Sequence, residues 1–145
     1  MYDFLLLVHV LSAFALVGGT VAFWAIALAT RPRRPLLSAA TVAALVGPTT
    51  VVTVAGTLGT LVFGVWLAIY LDAYQLWDAW IVASLVLWLV GTVTGARGGK
   101  EYNAAGTAGT PEEVARLWRR GNALAAVSTV AVLTVLVLMI FKPGA

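Results

Sequence analysis

Cysteine is absent from this chain of 145 residues. Disulfides, thiolate nucleophiles, cysteine-ligated zinc and iron–sulfur clusters are therefore excluded within it. Charge is scarce: 10% of the residues are Asp, Glu, Lys or Arg, against roughly 25% in a soluble domain. Histidine occurs once, at His9. No pair of carboxylates falls within an apolar run, which argues against a carboxylate-driven pump or a di-iron bundle. Gly98-Gly99 and the segment from Gly106 to Gly109 lack the spacing and the Lys-Ser/Thr ending of a phosphate loop.

What is present is apolar. Hydrophobic residues make up 61% of the chain, and they fall into long uncharged runs of membrane-spanning length. The pattern predicts an all-α fold, a single four-transmembrane-helix bundle with spans at about 4–30, 48–71, 78–96 and 121–141. Asp3 precedes the first apolar run, and Arg31, Arg33 and Arg34 follow it. That order is not the one of a cleavable signal peptide, so the run is expected to stay as a helix.

The central stretch is Pro48 to Leu71. Thr50, Thr53, Thr57, Thr60 and Gly64 recur at steps of three and four, and Gly56 and Gly59 flank them. Small residues and hydroxyls on one helical face are where helices approach closely in lipid. The stripe reads as packing, or as the lining of a polar pathway for water or ions. Upstream, the prolines of Arg31 to Pro35 make a basic turn. Pro48 is expected to kink a continuous helix. One helix from Leu36 to Leu71 would be about 54 Å long against a hydrocarbon core near 30 Å, so part of it is expected to tilt, or 36–46 to project or to lie at the membrane surface after a bend at Gly47-Pro48.

Asp78 is an expected N-cap for helix three. Gly91-x-x-x-Gly95 is a close-packing motif suited to self-association. Arg97 to Gly109, rich in Gly and Ala, is expected to be a loop. Thr110-Pro111-Glu112-Glu113 then opens helix four as a capping box with proline at its first position. Three-four spacing groups His9, Ser12, Leu16, Gly19 and Phe23 on helix one, Ser84, Trp88, Gly91 and Gly95 on helix three, and Asn122, Ala125, Thr129, Val132, Leu136 and Met139 on helix four.

Basic residues cluster in the first and third connections, Arg97, Lys100, Arg116, Arg119 and Arg120 among them. The positive-inside rule places these in the cytoplasm and both termini on the extracytoplasmic side. The basic excess thus sets orientation and is not a nucleic-acid surface. The arginines after Glu113 read as a solvated surface facing lipid headgroups. The expected setting is the bacterial cytoplasmic (inner) membrane. The expected partners are the lipid bilayer and either a homo-oligomer or a larger membrane complex.

His9 is the ionisable group expected to lie inside a span, and it carries the sharpest chemical expectation. Met139, Trp66 and Tyr70 fall at similar depth, with Asp78, Trp80 and Ser84 in the same outer layer. An imidazole with a thioether nearby and aromatic walls suits haem b or copper, with His9 as the metal ligand. The alternatives are a neutral imidazole that simply hydrogen-bonds across helices and a proton-relay role. Three functions stay open: a redox-associated haem or copper protein, a non-catalytic accessory subunit or self-associating bundle, and a small transporter or channel.

The run from Leu5 to Gly19, with Phe63-Gly64-Val65-Trp66-Leu67-Ala68 and Trp77-Asp78-Ala79-Trp80-Ile81, resembles an uncharacterised family of bacterial four-helix proteins described as predicted integral membrane proteins. That resemblance implies fold and location and no biochemical activity. The His-to-Gly-Gly pattern of helix one is more distantly similar to copper-resistance D proteins and to the haem-binding protoporphyrinogen oxidase family HemJ. These resemblances imply a ligand role for His9 alone.

Overall fold

The computed structural model describes residues 1–30, 38–70, 75 and 77–142. Four helices account for nearly all of them: α1 (Tyr2–Ala29), α2 (Ala39–Tyr70), α3 (Ala79–Thr107) and α4 (Pro111–Phe141). The fold is all-α, with no strand among the described residues. All four helices are long and apolar enough to cross a membrane. The expected basic turn at 31–35, and Asp72 and Tyr74 of the second connection, lie outside the described residues.

The chain forms two compact units, 1–75 and 76–145, in which α1 pairs with α2 and α3 pairs with α4. Side chains turned away from each pairing are large and apolar, and they are exposed: Phe14 at 71%, Val51 at 68% and Ile140 at 74%. In water such surface would be untenable, whereas in hydrocarbon it is the expected exterior. Within the pairings small residues make many of the contacts, beside the buried Leu5, Trp80 and Ile81. The buried residues of α4 are Gly121, Ala125 and Ala131. With no hydrophobic driving force between helices in lipid, close backbone approach supplies the attraction.

Helix α2 runs from Ala39 to Tyr70 with Pro48 inside it. Pro48 is exposed, and membrane helices tolerate the lost donor. At the described start of α2 the Ser38 Oγ accepts from the Thr41 N–H at 3.1 Å. Helix three does not stop at Ala96. It continues eleven residues to Thr107, so the expected Gly/Ala loop is mostly helix. Gly98 is buried there, close to the Gly121 carbonyl and to Leu124 and Ala125, so its lack of a side chain serves packing. The packing face of α4 is also rotated from the one expected. After Ala125 the contacts with Gly91 are made by Ser128 and Ala131, with Thr129 and Val132 half-buried beside them.

Helix four starts as its sequence announces. Thr110 accepts from the Glu113 N–H at 3.3 Å and Pro111 occupies the first position. Asp78 stands at the N-cap of α3, but its side chain makes no cap hydrogen bond. The first turn is closed there by the Asp78 carbonyl, which accepts from the N–H groups of Ile81 and Val82. Lys142 ends α4 in the left-handed region at φ 40°, with its N–H donating to the Leu138 carbonyl. Its ammonium lies 5.8 Å from the centre of a Trp80 ring.

Candidate functional site

The site begins with how α1 meets α2. A side chain added at Gly19 would strike Thr53, one at Gly56 would strike the backbone of Ser12 and Leu16, and one at Gly59 would strike the Ser12 side chain. At Gly64 an added Cβ would sit 2.9 Å from the His9 Cε1. Rising numbers on α1 thus meet falling numbers on α2, so the pair is antiparallel. His9, Ser12, Leu16 and Gly19 form the contact line of α1, as their spacing predicts.

The threonine stripe is bound up in its own helix. The hydroxyls of Thr50, Thr53 and Thr57 donate to the carbonyls of Val46, Thr49 and Thr53 at 2.7–2.8 Å. Thr60 donates to the Gly56 and Thr57 carbonyls at 2.9 Å. A hydroxyl satisfied on the preceding turn offers no continuous path of donors to water or ions. The glycines that flanked the stripe, Gly56 above all, are the points of closest approach.

His9 closes this line at its Gly64 end. The imidazole packs against α2 one turn beyond Thr60, over Gly64. Gly64 leaves the room the ring occupies, its missing Cβ position lying 3.2 Å from Nδ1. That nitrogen is shut off from the exterior and has no hydrogen-bond partner among the described residues. A metal bound to an imidazole nitrogen stands about 2 Å from it. An iron or copper on Nδ1 would therefore have to enter between α1 and α2, and the helices would have to part at Gly64.

The other expected site residues lie on α2 and α4. Trp66 and Tyr70 are exposed, at 46% and 47%. They follow Gly64 by two and six residues, roughly 200° and 240° around the helix, so neither shares its face. Trp66 stacks on Phe63 with ring centres 6.4 Å apart. Met139 is half-buried on α4, in the second unit. Among the described residues no group of three or more His, Cys, Asp or Glu side chains is placed to hold a metal ion.

The second unit has a matching line of small residues. Ser128 Oγ donates to the Gly91 carbonyl at 2.8 Å, and a Cβ on Gly95 would sit 3.0 Å from the same Oγ. The glycines of Gly91-x-x-x-Gly95 thus pack against α4 within the chain. Farther along, the Tyr102 hydroxyl donates to the Asn122 side-chain oxygen, and the Tyr102 and Trp118 rings meet edge to face at 4.8 Å. The sequence expectation missed this pair because Tyr102 was assigned to a loop.

No curated protein and no solved structure matches the chain. Four membrane-length helices, exposed apolar side chains and small-residue pairings are the physical marks of an integral membrane protein. In accord with them, residues 3–143 match the family described as predicted integral membrane protein (DUF2269), and the chain belongs to that family.

Proposed function

We propose that the protein is a non-catalytic membrane module, an accessory subunit of a larger membrane complex, set in the bacterial cytoplasmic membrane with both termini outside. The observation that carries this reading is the engagement of His9. The single histidine is packed between α1 and α2: its ring fills the space above Gly64, and its Nδ1 is shut off from the exterior. Catalysis or proton transfer needs a group that substrate or water can reach. The threonine hydroxyls are likewise committed to backbone carbonyls, which weakens the channel reading. Large exposed apolar faces remain on every helix, and protein or lipid can cover them.

The rival reading is a haem or copper protein with His9 as ligand. Its support is the unpartnered Nδ1. On Nδ1 the group fits poorly, because His9 brings a single donor and that nitrogen faces Gly64 of α2.

One preparation separates the two. The tagged chain is extracted from its native membrane in mild detergent, cross-linked, and examined by mass spectrometry and visible spectroscopy. The accessory reading expects a colourless protein that brings down a partner in fixed stoichiometry. A chain recovered alone from cross-linked membranes overturns it. A Soret band or stoichiometric copper that disappears in His9→Ala establishes the rival.

A further inference from the structure

Helices α3 and α4 are longer than a bilayer requires. At 1.5 Å per residue they measure about 43 Å and about 46 Å, against a hydrocarbon core near 30 Å. The apolar parts, 79–96 and 121–141, come to about 27 Å and about 31 Å and so fill the core. What remains, 97–107 on α3 and 111–120 on α4, extends about 15 Å beyond it as a paired helical stub. The stub is held together across its axis. Gly98 approaches Gly121 and Ala125, Tyr102 donates to Asn122, and Trp118 meets the Tyr102 ring. The side chains on its outside therefore have defined heights above the membrane.

Charge on the stub is sorted by height. Arg97 lies beside Gly98, and Arg119 and Arg120 lie beside Gly121, where the apolar spans end. Lys100 follows Arg97 by about 5 Å along the axis. All four side chains are exposed, and none has a carboxylate partner among the described residues. Arg116, higher up, is occupied by Glu113 at 3.5 Å. Glu112 and Glu113 lie about 12–14 Å out, toward the tip, beyond the Debye length of about 8 Å at physiological salt. The free cations thus stand at headgroup height, where Glu101 is the one carboxylate among them, and Glu112 and Glu113 are removed from it. Trp118 and Tyr102 sit at the same level, the position aromatic residues favour at a membrane interface.

We propose that Arg97, Lys100, Arg119 and Arg120 form a binding belt for anionic phospholipid headgroups. A soluble acidic partner would be met equally well by cations at the exposed tip, and the tip is acidic. The four positive charges are held where the phosphates of the adjoining leaflet lie, so the belt selects anionic lipid over zwitterionic lipid.

The test uses the full chain in bilayer discs of mixed phosphatidylglycerol and phosphatidylcholine, with retained lipid counted by native mass spectrometry. The wild-type chain is expected to enrich phosphatidylglycerol about tenfold or more, since each basic side chain near a membrane surface favours anionic lipid. R97Q/K100Q/R119Q/R120Q is expected to lose that enrichment, and E112Q/E113Q to keep it. Equal retention of the two lipids by the wild type overturns the proposal, as does undiminished enrichment in the fourfold variant. Displacement of bound lipid by millimolar inorganic phosphate would assign the cations to a free-phosphate site and overturn it too. Should the fourfold variant fail to insert, R119Q/R120Q and a salt titration of the wild type decide. Enrichment must fall in both, and a preference that survives molar salt overturns the belt.

Discussion

At Gly64 the missing side chain is what matters. Its hydrogen stands where a methyl group would meet the His9 ring at 2.9 Å, whereas Gly18 has open space around it. Gly64→Ala is expected to destabilise the α1–α2 pair by about 1–3 kcal/mol, the usual cost of overpacking. The cost should shrink in a His9→Ala background, because the ring that is struck has gone. A double-mutant cycle read by reversible unfolding in mixed micelles measures that coupling. Gly56→Ala is expected to cost more than Gly64→Ala, since its neighbours are the backbone atoms of Ser12 and Leu16 and cannot swing aside. Gly18→Ala should be neutral or slightly stabilising. Equal effects at Gly18 and Gly56 would contradict the pairing described here. The contact line of α1 was legible in the sequence because His9, Ser12, Leu16 and Gly19 share a helical period. That His9 meets Gly64 was not, because the offset between two antiparallel helices is a tertiary property that neither sequence carries alone.

For whole helices, length and face are decided by different things. Helix α4 begins at Thr110 because its hydroxyl caps the Glu113 N–H, and Thr110→Ala should cost about 1 kcal/mol in the stability of the second unit. That start was legible, since a capping box is a local signal. The far end of α3 was not. Gly98, Gly99, Gly106 and Gly109 read as a loop by composition, yet Gly98 earns its place by admitting Gly121 at close range. The face of α4 is chosen in the same way. Its spacing admits Thr129 and Val132 as readily as Ser128 and Ala131, and the Ser128 hydrogen bond to the Gly91 carbonyl selects the second set. Ser128→Ala is expected to lose about 0.6 kcal/mol, the average for hydrogen bonds between membrane helices. Thr134→Val, on the exposed side where the hydroxyl donates to the Val130 carbonyl, should lose less. Both are read by the same unfolding assay, and a larger loss at Thr134 would reverse the assignment of the faces.

Over the whole molecule, hydropathy made the four membrane-length helices legible, but orientation rests on charge alone. An even number of crossings returns the chain to the side from which it started, so Tyr2 and Lys142 should share one side. Arg97 and Arg116 flank the third connection and should share the other. The sorted charge of the α3–α4 stub favours the cytoplasm for that connection, because translocating Arg97, Lys100, Arg116, Arg119 and Arg120 across the membrane opposes the positive-inside bias. The absence of cysteine makes the arrangement directly measurable. Single substitutions Tyr2→Cys, Gly109→Cys and Lys142→Cys each introduce one thiol into an otherwise unreactive chain. With a membrane-impermeant maleimide on intact cells, the thiols at positions 2 and 142 should label, and the one at 109 should label only after the membrane is opened. Labelling of 2 and 142 from opposite sides would mean that one of the four helices does not cross. Labelling of 109 alone in intact cells would leave four crossings standing and invert the orientation, and with it the leaflet whose headgroups the basic belt would meet.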